Sequence, residues 1–209
     1  MEQAVARVAE FNRQAQDRFA SSRLCRLIAD PTTTPDTKRA VKTWLQPWSN
    51  AFQQMITARA ESETDPALKE LAVQHRGEEL DHNHVLARSR GADDVAAGWD
   101  PVIDAGSSWF INQLTTLPGV SRAVLAHLAL EAACLVFSQV AIGAYPDDEY
   151  FELHNEADSE HLEIGYRVLR ERSDWKESEV IALLDHAWQM MTTVADRIAE
   201  RALADPIAA

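Results

Sequence analysis

Apolar side chains recur every three or four residues along nearly the whole chain, and the prolines fall between the runs, as in a series of amphipathic helices. Val5, Val8, Phe19, Leu24, Leu27 and Ile28 mark a first helix over about 3–29, ended by Asp30-Pro31 and Pro35. Trp44, Leu45, Trp48, Phe52, Met55 and Ile56 mark a second over about 36–63, where Pro47 removes a backbone donor and predicts a kink or a restart. Asp65-Pro66 and Asp100-Pro101 each read as an N-cap followed by proline at the first helical position. They open a third helix, closed by Gly91, and a fourth over about 101–116. Leu117-Pro118-Gly119 separates the fourth from a fifth over about 119–143. Tyr145-Pro146-Asp147-Asp148 opens a sixth that runs to about Arg172, and Asp174 and Glu177 have capping-box spacing at the head of a seventh over about 175–203. No segment alternates with the period of a strand. The expected fold class is all-α, a seven-helix bundle-like single domain over 1–209 with an N-terminal helix (1–30) and a helical core (36–203).

Composition narrows the partners. The 209 residues carry a net charge of −13, which repels phosphate backbones and anionic membranes, so neither nucleic acid nor membrane is an expected partner. No run of eighteen apolar residues is present, so no transmembrane helix is expected, and the N-terminus has no apolar core of a signal peptide. Cys25 and Cys134 form no CxxC motif and read as reduced thiols of a cytoplasmic protein.

Three of the core-facing stripes are interrupted by ionisable residues. The third helix presents Leu68, Leu71/Ala72, His75, Glu79, His82 and Leu86 on one face, a His-x3-Glu-x2-His group bracketed by apolar positions. The sixth presents Phe151, His154, Asp158, His161, Gly165 and Val168/Leu169, a His-x3-Asp-x2-His group bracketed in the same way. The fifth places Glu131 alone among Val124, Leu128, Leu135 and Ile142. An isolated carboxylate in a core is costly unless it pairs or binds a cation. Glu131 could pair with Arg122 or His127, and Glu79 with His82 within their own helix. One dinuclear metal site accounts for His75, Glu79, His82, Glu131, His154, Asp158 and His161 together, and N/O donors without thiolate suit iron or manganese better than zinc.

The remaining candidates rank lower. His84 and His186 lie off the stripes and read as surface residues, His127 as a partner of Glu131, and Glu78 and Asp81 as solvent-facing. Trp44, Trp48, Phe52, Trp109, Phe110 and Phe151 could wall a pocket above the metals, with Phe151 the best placed, although most such aromatics are ordinary core. Arg59, Arg76 and Arg122 could meet a substrate carboxylate.

The seven-helix layout resembles the haem-oxygenase-like (TenA-like) fold, and the motifs resemble its non-haem branch, the haem-oxygenase-like di-iron oxidases and oxygenases. His154, Asp158 and His161 match that family's His-x3-Asp-x2-His, and Glu131 its middle-helix Glu. The family's Glu-x6-His is not matched, since seven residues before His82 stands His75. Glu79 with His82 resembles a Glu-x2-His variant of the family, which makes these two firmer ligand candidates than His75. The resemblance implies two iron ions, O2 as co-substrate, and Glu79 and Glu131 as carboxylates that move between bridging and terminal binding. It further implies a small, amino-acid-derived substrate oxidised by N-oxygenation, desaturation or oxidative C–C cleavage in secondary metabolism, and a homodimer. The alternatives are a metal-free TenA-like hydrolase with Cys134 as nucleophile, a ferritin-like di-iron protein, and a metal-buffering or purely structural helical domain.

Overall fold

Helix starts in this chain are set by side chains that take up the spare backbone donors of a first turn. In the computed structural model, which describes residues 1–205 less the side chains of 155–159, Asp65 Oδ1 accepts from Ala67 N and Leu68 N at 3.0 and 3.1 Å. Asp100 Oδ1 accepts from Val102 N and Ile103 N at 3.0 and 3.3 Å. Both Asp-Pro starts therefore form as expected. At the other end, Gly91 adopts φ 77°, and Gly91 N and Ala92 N return to Arg88 O and Ala87 O, closing a helix with a left-handed glycine.

The helices are α1 (Glu2–Phe19), α2 (Arg23–Ala29), α3 (Pro35–Ser62), α4 (Pro66–Glu79), α5 (His82–Ser89) and α6 (Pro101–Thr116). After them come α7 (Gly119–Val124), a π-helical segment (Leu125–Glu131), α8 (Ala132–Ile142), α9 (Glu149–Glu171) and α10 (Glu177–Ala204). Each of the seven expected helices corresponds to one rod, but three rods are interrupted. The first breaks between Phe19 and Arg23, where Ser22 Oγ caps α2 through Cys25 N. The third breaks at Leu80 and Asp81, and Asp81 takes the left-handed conformation, φ 67°. The fifth carries the π-helical segment, all seven of whose residues are buried.

Three further expectations change. α3 runs through Pro47 without a restart. The capping box at Asp174 does not form, because Asp174 pairs instead with Arg172 at 3.0 Å and α10 starts at Glu177 without a side-chain cap. Although the chain has no run of eighteen apolar residues, the rod Gly119–Ile142 is long and apolar enough to cross a membrane, but 78% of its most apolar stretch is buried inside the protein, as a core helix would be.

This rod is the centre of the bundle. Its π-helical segment and α8 pack on α9, while α10 lies along α1, α2, α3 and α6, and α3 packs on α4, α5 and α6. The contact between α9 and the π-helical segment is close because residue 165 is glycine. A Cβ there would stand 2.6 Å from Leu128 Cδ2 and 3.0 Å from His127 Cβ. Among the described residues there is no β-strand.

Candidate metal centre

Three interrupted or closely packed rods bring the ionisable stripe residues to one place. Glu79 is the last residue of α4 and His82 the first of α5, so the break at residues 80–81 turns them independently. The one continuous stripe expected through His75, Glu79 and His82 is therefore replaced by two helix ends. Side chains of α3 support the break. Gln53 Nε2 donates to Glu79 O at 3.0 Å, and Gln46 Nε2 donates to Asn83 O at 3.0 Å. Glu131 closes the π-helical segment, a local rearrangement that often accompanies functional sites.

Six of the seven candidate ligands converge. His75 Nε2 lies 2.8 Å from Glu131 Oε1, and His161 Nδ1 lies 3.2 Å from Glu131 Oε2 and 3.7 Å from Glu79 Oε1. His82 Nδ1 lies 2.7 Å from Glu79 Oε2. The rings of His82 and His154 are 4.9 Å apart. The donors form two groups, His75, Glu79, Glu131 and His161 on one side and Glu79, His82 and His154 on the other, each with ligand atoms within 4.8 Å of one another. Glu79 belongs to both. The seventh candidate, Asp158, lies outside the described side chains.

The carboxylates decide what this cluster can do. Glu79 is 1% exposed, and among the described residues no hydrogen bond reaches either of its oxygens. His82 Nδ1 stands close to it but not in hydrogen-bonding geometry. A buried carboxylate left this way is costly unless a cation meets it. The buried His/Glu groups could hold metal ions, and their nitrogen and oxygen donors fit divalent first-row metals.

The ionisable groups of the cluster also shift one another. Burial would raise Glu131, but the imidazoles of His75 and His161 overcome it and hold the carboxyl well below its ordinary range. Burial would lower His161, but Glu131, then Glu79 and Glu78, push it up to about 9. His154 is pushed down, chiefly by burial, and its Nδ1 lies 2.6 Å from the Tyr150 carbonyl. A carbonyl only accepts, so His154 carries its hydrogen on Nδ1 and presents a bare Nε2.

Other residues fall differently from expectation. Glu131 pairs with neither Arg122 nor His127. Arg122 donates to Leu117 O at 2.6 Å and faces Glu63 at 3.3 Å. His127 is fully buried with no hydrogen bond at either nitrogen among the described residues, and burial followed by the Arg59 charge keeps it neutral. Glu78 is largely solvent-facing as expected, yet its carboxylate reaches His161 Nε2 at 3.1 Å. His84, Asp81 and His186 are exposed, as expected. Arg59, expected to meet a substrate carboxylate, is instead buried on α3 with its Nη1 2.9 Å from His75 Nδ1.

A cavity of about 70 Å³ opens on the cluster. Glu79, His82, Glu131 and His154 form its polar end, and Trp48, Phe52, Phe137 and Met191 are among the apolar side chains around it. Phe19 and Leu24 of the N-terminal helices also line it. Phe151, expected at the wall, is instead core, packed against Tyr145, Tyr150 and Phe137. Trp44, Trp109 and Phe110 also lie outside the lining, and among the described residues no Lys or Arg faces the cavity.

No protein-family model matches the chain. It is 26% identical over 193 residues to an uncharacterised protein of Rickettsia prowazekii (strain Madrid E), over 90% of this chain and 91% of that protein. Its fold is similar to that of a TenA homologue from Pseudomonas syringae pv. tomato (TM-score 0.72, 13% identity, 93% of this chain and 92% of the other). It is also similar to a domain of unknown function with a haem-oxygenase-like fold from Shewanella denitrificans (TM-score 0.71, 14% identity, 93% and 91%). A TenA homologue from Pyrococcus furiosus is a third such structure (TM-score 0.71, 10% identity, 94% and 99%). The chain has the TenA-like, haem-oxygenase-like all-α fold.

Proposed function

We propose that this protein is a non-haem di-iron enzyme that uses O2 to oxidise a small substrate. The observation that carries the reading is the shared Glu79, buried, without hydrogen bonds among the described residues, and common to two groups of N/O donors. Glu79, Glu131 and His161 would hold one ion, and Glu79, His82 and His154 the other, with Asp158 assigned to the centre by its motif alone. When bound, two ferrous ions supply the electrons and the open coordination positions that O2 chemistry needs.

The chain's own residues do the rest. His154 keeps Nε2 bare because the Tyr150 carbonyl holds its Nδ1 hydrogen. The apolar wall around Trp48, Phe52, Phe137 and Met191 excludes water and leaves one end of the cavity polar. An amino-acid-derived substrate would place its hydrocarbon body among these residues. Its carboxylate or amine would face the metal end, because Arg59 and Arg122 are engaged elsewhere and neither they nor Arg76 line the cavity. Cytoplasmic location and a homodimer remain part of this proposal.

Anaerobic loading with Fe(II), followed by O2, tests it. About two irons per chain and O2-dependent visible absorption are expected, with unfolding free energy raised about 2.7 kcal/mol at a hundredfold excess over Kd. His154→Ala and Asp158→Ala should each abolish O2 consumption with helix content intact. A chain that takes up no iron while fully folded would sink the proposal. Cys134 borders the same cavity, which favours a metal-free hydrolase as the second reading. Cleavage of thiamin analogues that is lost in Cys134→Ala would establish that one instead.

A further inference from the structure

Two buried imidazoles of the centre face partners of opposite kind. His154 Nδ1 meets a carbonyl, which only accepts. His75 Nδ1 meets the Arg59 guanidinium at 2.9 Å, which only donates. His75 Nδ1 must therefore be the acceptor, and the ring hydrogen sits on Nε2, where it donates to Glu131 Oε1 at 2.8 Å. A metal ion on Nε2 would need that position bare and would send the hydrogen to Nδ1, head-on against an Arg59 N–H. Arg59 has no room to withdraw, being 1% exposed. The rings of His127 and His161 stand 4.9 and 5.0 Å away between centroids.

We propose that His75 is a positioning residue and not a metal ligand: Arg59 fixes its tautomer, and its Nε2–H holds Glu131 Oε1, which leaves Oε2, beside His161, as the oxygen that would be free to bind an ion. The inference rests on the metal-centre reading above. It explains why a histidine can stand seven residues before His82, where the matching pattern has a glutamate: its task here is to orient a carboxylate.

Anaerobic Zn(II) titration of the full chain, wild type against His75→Gln, His75→Leu and His154→Gln, separates the roles. Gln offers Arg59 a carbonyl and Glu131 an N–H, so His75→Gln should keep the wild-type stoichiometry with affinity within about tenfold, whereas His75→Leu should weaken binding about 10–100-fold. His154→Gln should lose one ion. Long-range 1H–15N NMR of the wild type needs no variant: His75 should show a hydrogen on Nε2 both before and after Zn(II), while His154 Nε2 shifts on loading. Loss of an ion confined to His75→Gln, or loss of the Nε2 hydrogen of His75 on loading, would overturn the inference. A wild type that binds no Zn(II) gives a flat titration in every protein, and that outcome overturns the metal-centre reading together with this inference.

Discussion

Gly165→Ala is the sharpest test of how the fold builds the centre. The added methyl would lie 2.6 and 2.7 Å from Leu128 Cδ2 and Cγ and 3.0 Å from His127 Cβ. Carbon atoms pack at about 3.5–4.0 Å, so α9 and the π-helical segment must part by about 1 Å. Leu128 can swing its tip, but its Cγ and the His127 Cβ are fixed close to the backbone. Overpacking of this kind costs about 1–3 kcal/mol, and alanine returns about 1 kcal/mol of helix propensity, which leaves a net loss of about 0–2 kcal/mol. The centre should suffer more than the fold. His161 sits one turn before Gly165 and its Nδ1 is 3.2 Å from Glu131 Oε2, so a shift of about 1 Å takes the pair out of contact. Urea unfolding should show a slightly lower midpoint with an unchanged slope, while Zn(II) affinity falls about tenfold or more. Gly77→Ala is the control: a Cβ there meets nothing within 4 Å, so it should stabilise by about 0.5–1 kcal/mol and leave metal binding alone. If Gly165→Ala also stabilises, with unchanged Zn(II) affinity, close approach of these helices is not what assembles the site.

Asp81 holds a left-handed conformation at the break between Glu79 and His82. Asp81→Gly should therefore stay near wild-type stability, while Asp81→Val should lose about 1–2 kcal/mol in urea unfolding and weaken Zn(II) binding; a neutral Asp81→Val would refute the importance of the break. Asp100 caps α6 and meets Arg197 at 2.8 Å; burial opposes its ionisation, but Arg197 and the Val102 and Ile103 amides keep it below the ordinary aspartate range. A carboxyl lowered in the folded state contributes stability above its unfolded value and loses it as pH falls through the folded one. Asp100→Asn, which keeps the cap, should thus flatten the loss of stability below about pH 4, and an unchanged acid limb would count against this role.

What was legible in the chain was local. Asp65, Asp100 and Gly91 act on their own neighbours through backbone geometry, and each works as its sequence position implies. The buried stripes were legible for the same reason: His75, Glu79, Glu131, His154 and His161 are inward because apolar residues on either side at helical spacing are inward. Where a local signal competed with another side-chain partner, it failed. Asp174 capped nothing because Arg172, two residues before it, holds it, and Phe151 left the cavity wall to Phe137 and Tyr150 because it packs among aromatic neighbours in the core.

The sequence by itself determined seven rods, an all-α class and a set of ionisable residues that the core must accommodate, since these follow from periodicity, caps and the cost of burying charge. Only the tertiary structure decided how that cost is met. The break at Asp81 and the π-helical segment before Glu131 have no composition of their own and exist because neighbouring rods support them: Gln53 takes the Glu79 carbonyl, and Gly165 admits Leu128. The hydrogen on His75 is likewise set from 16 residues away, by Arg59. A ring nitrogen's role depends on what faces it, and what faces it is fixed by packing between helices.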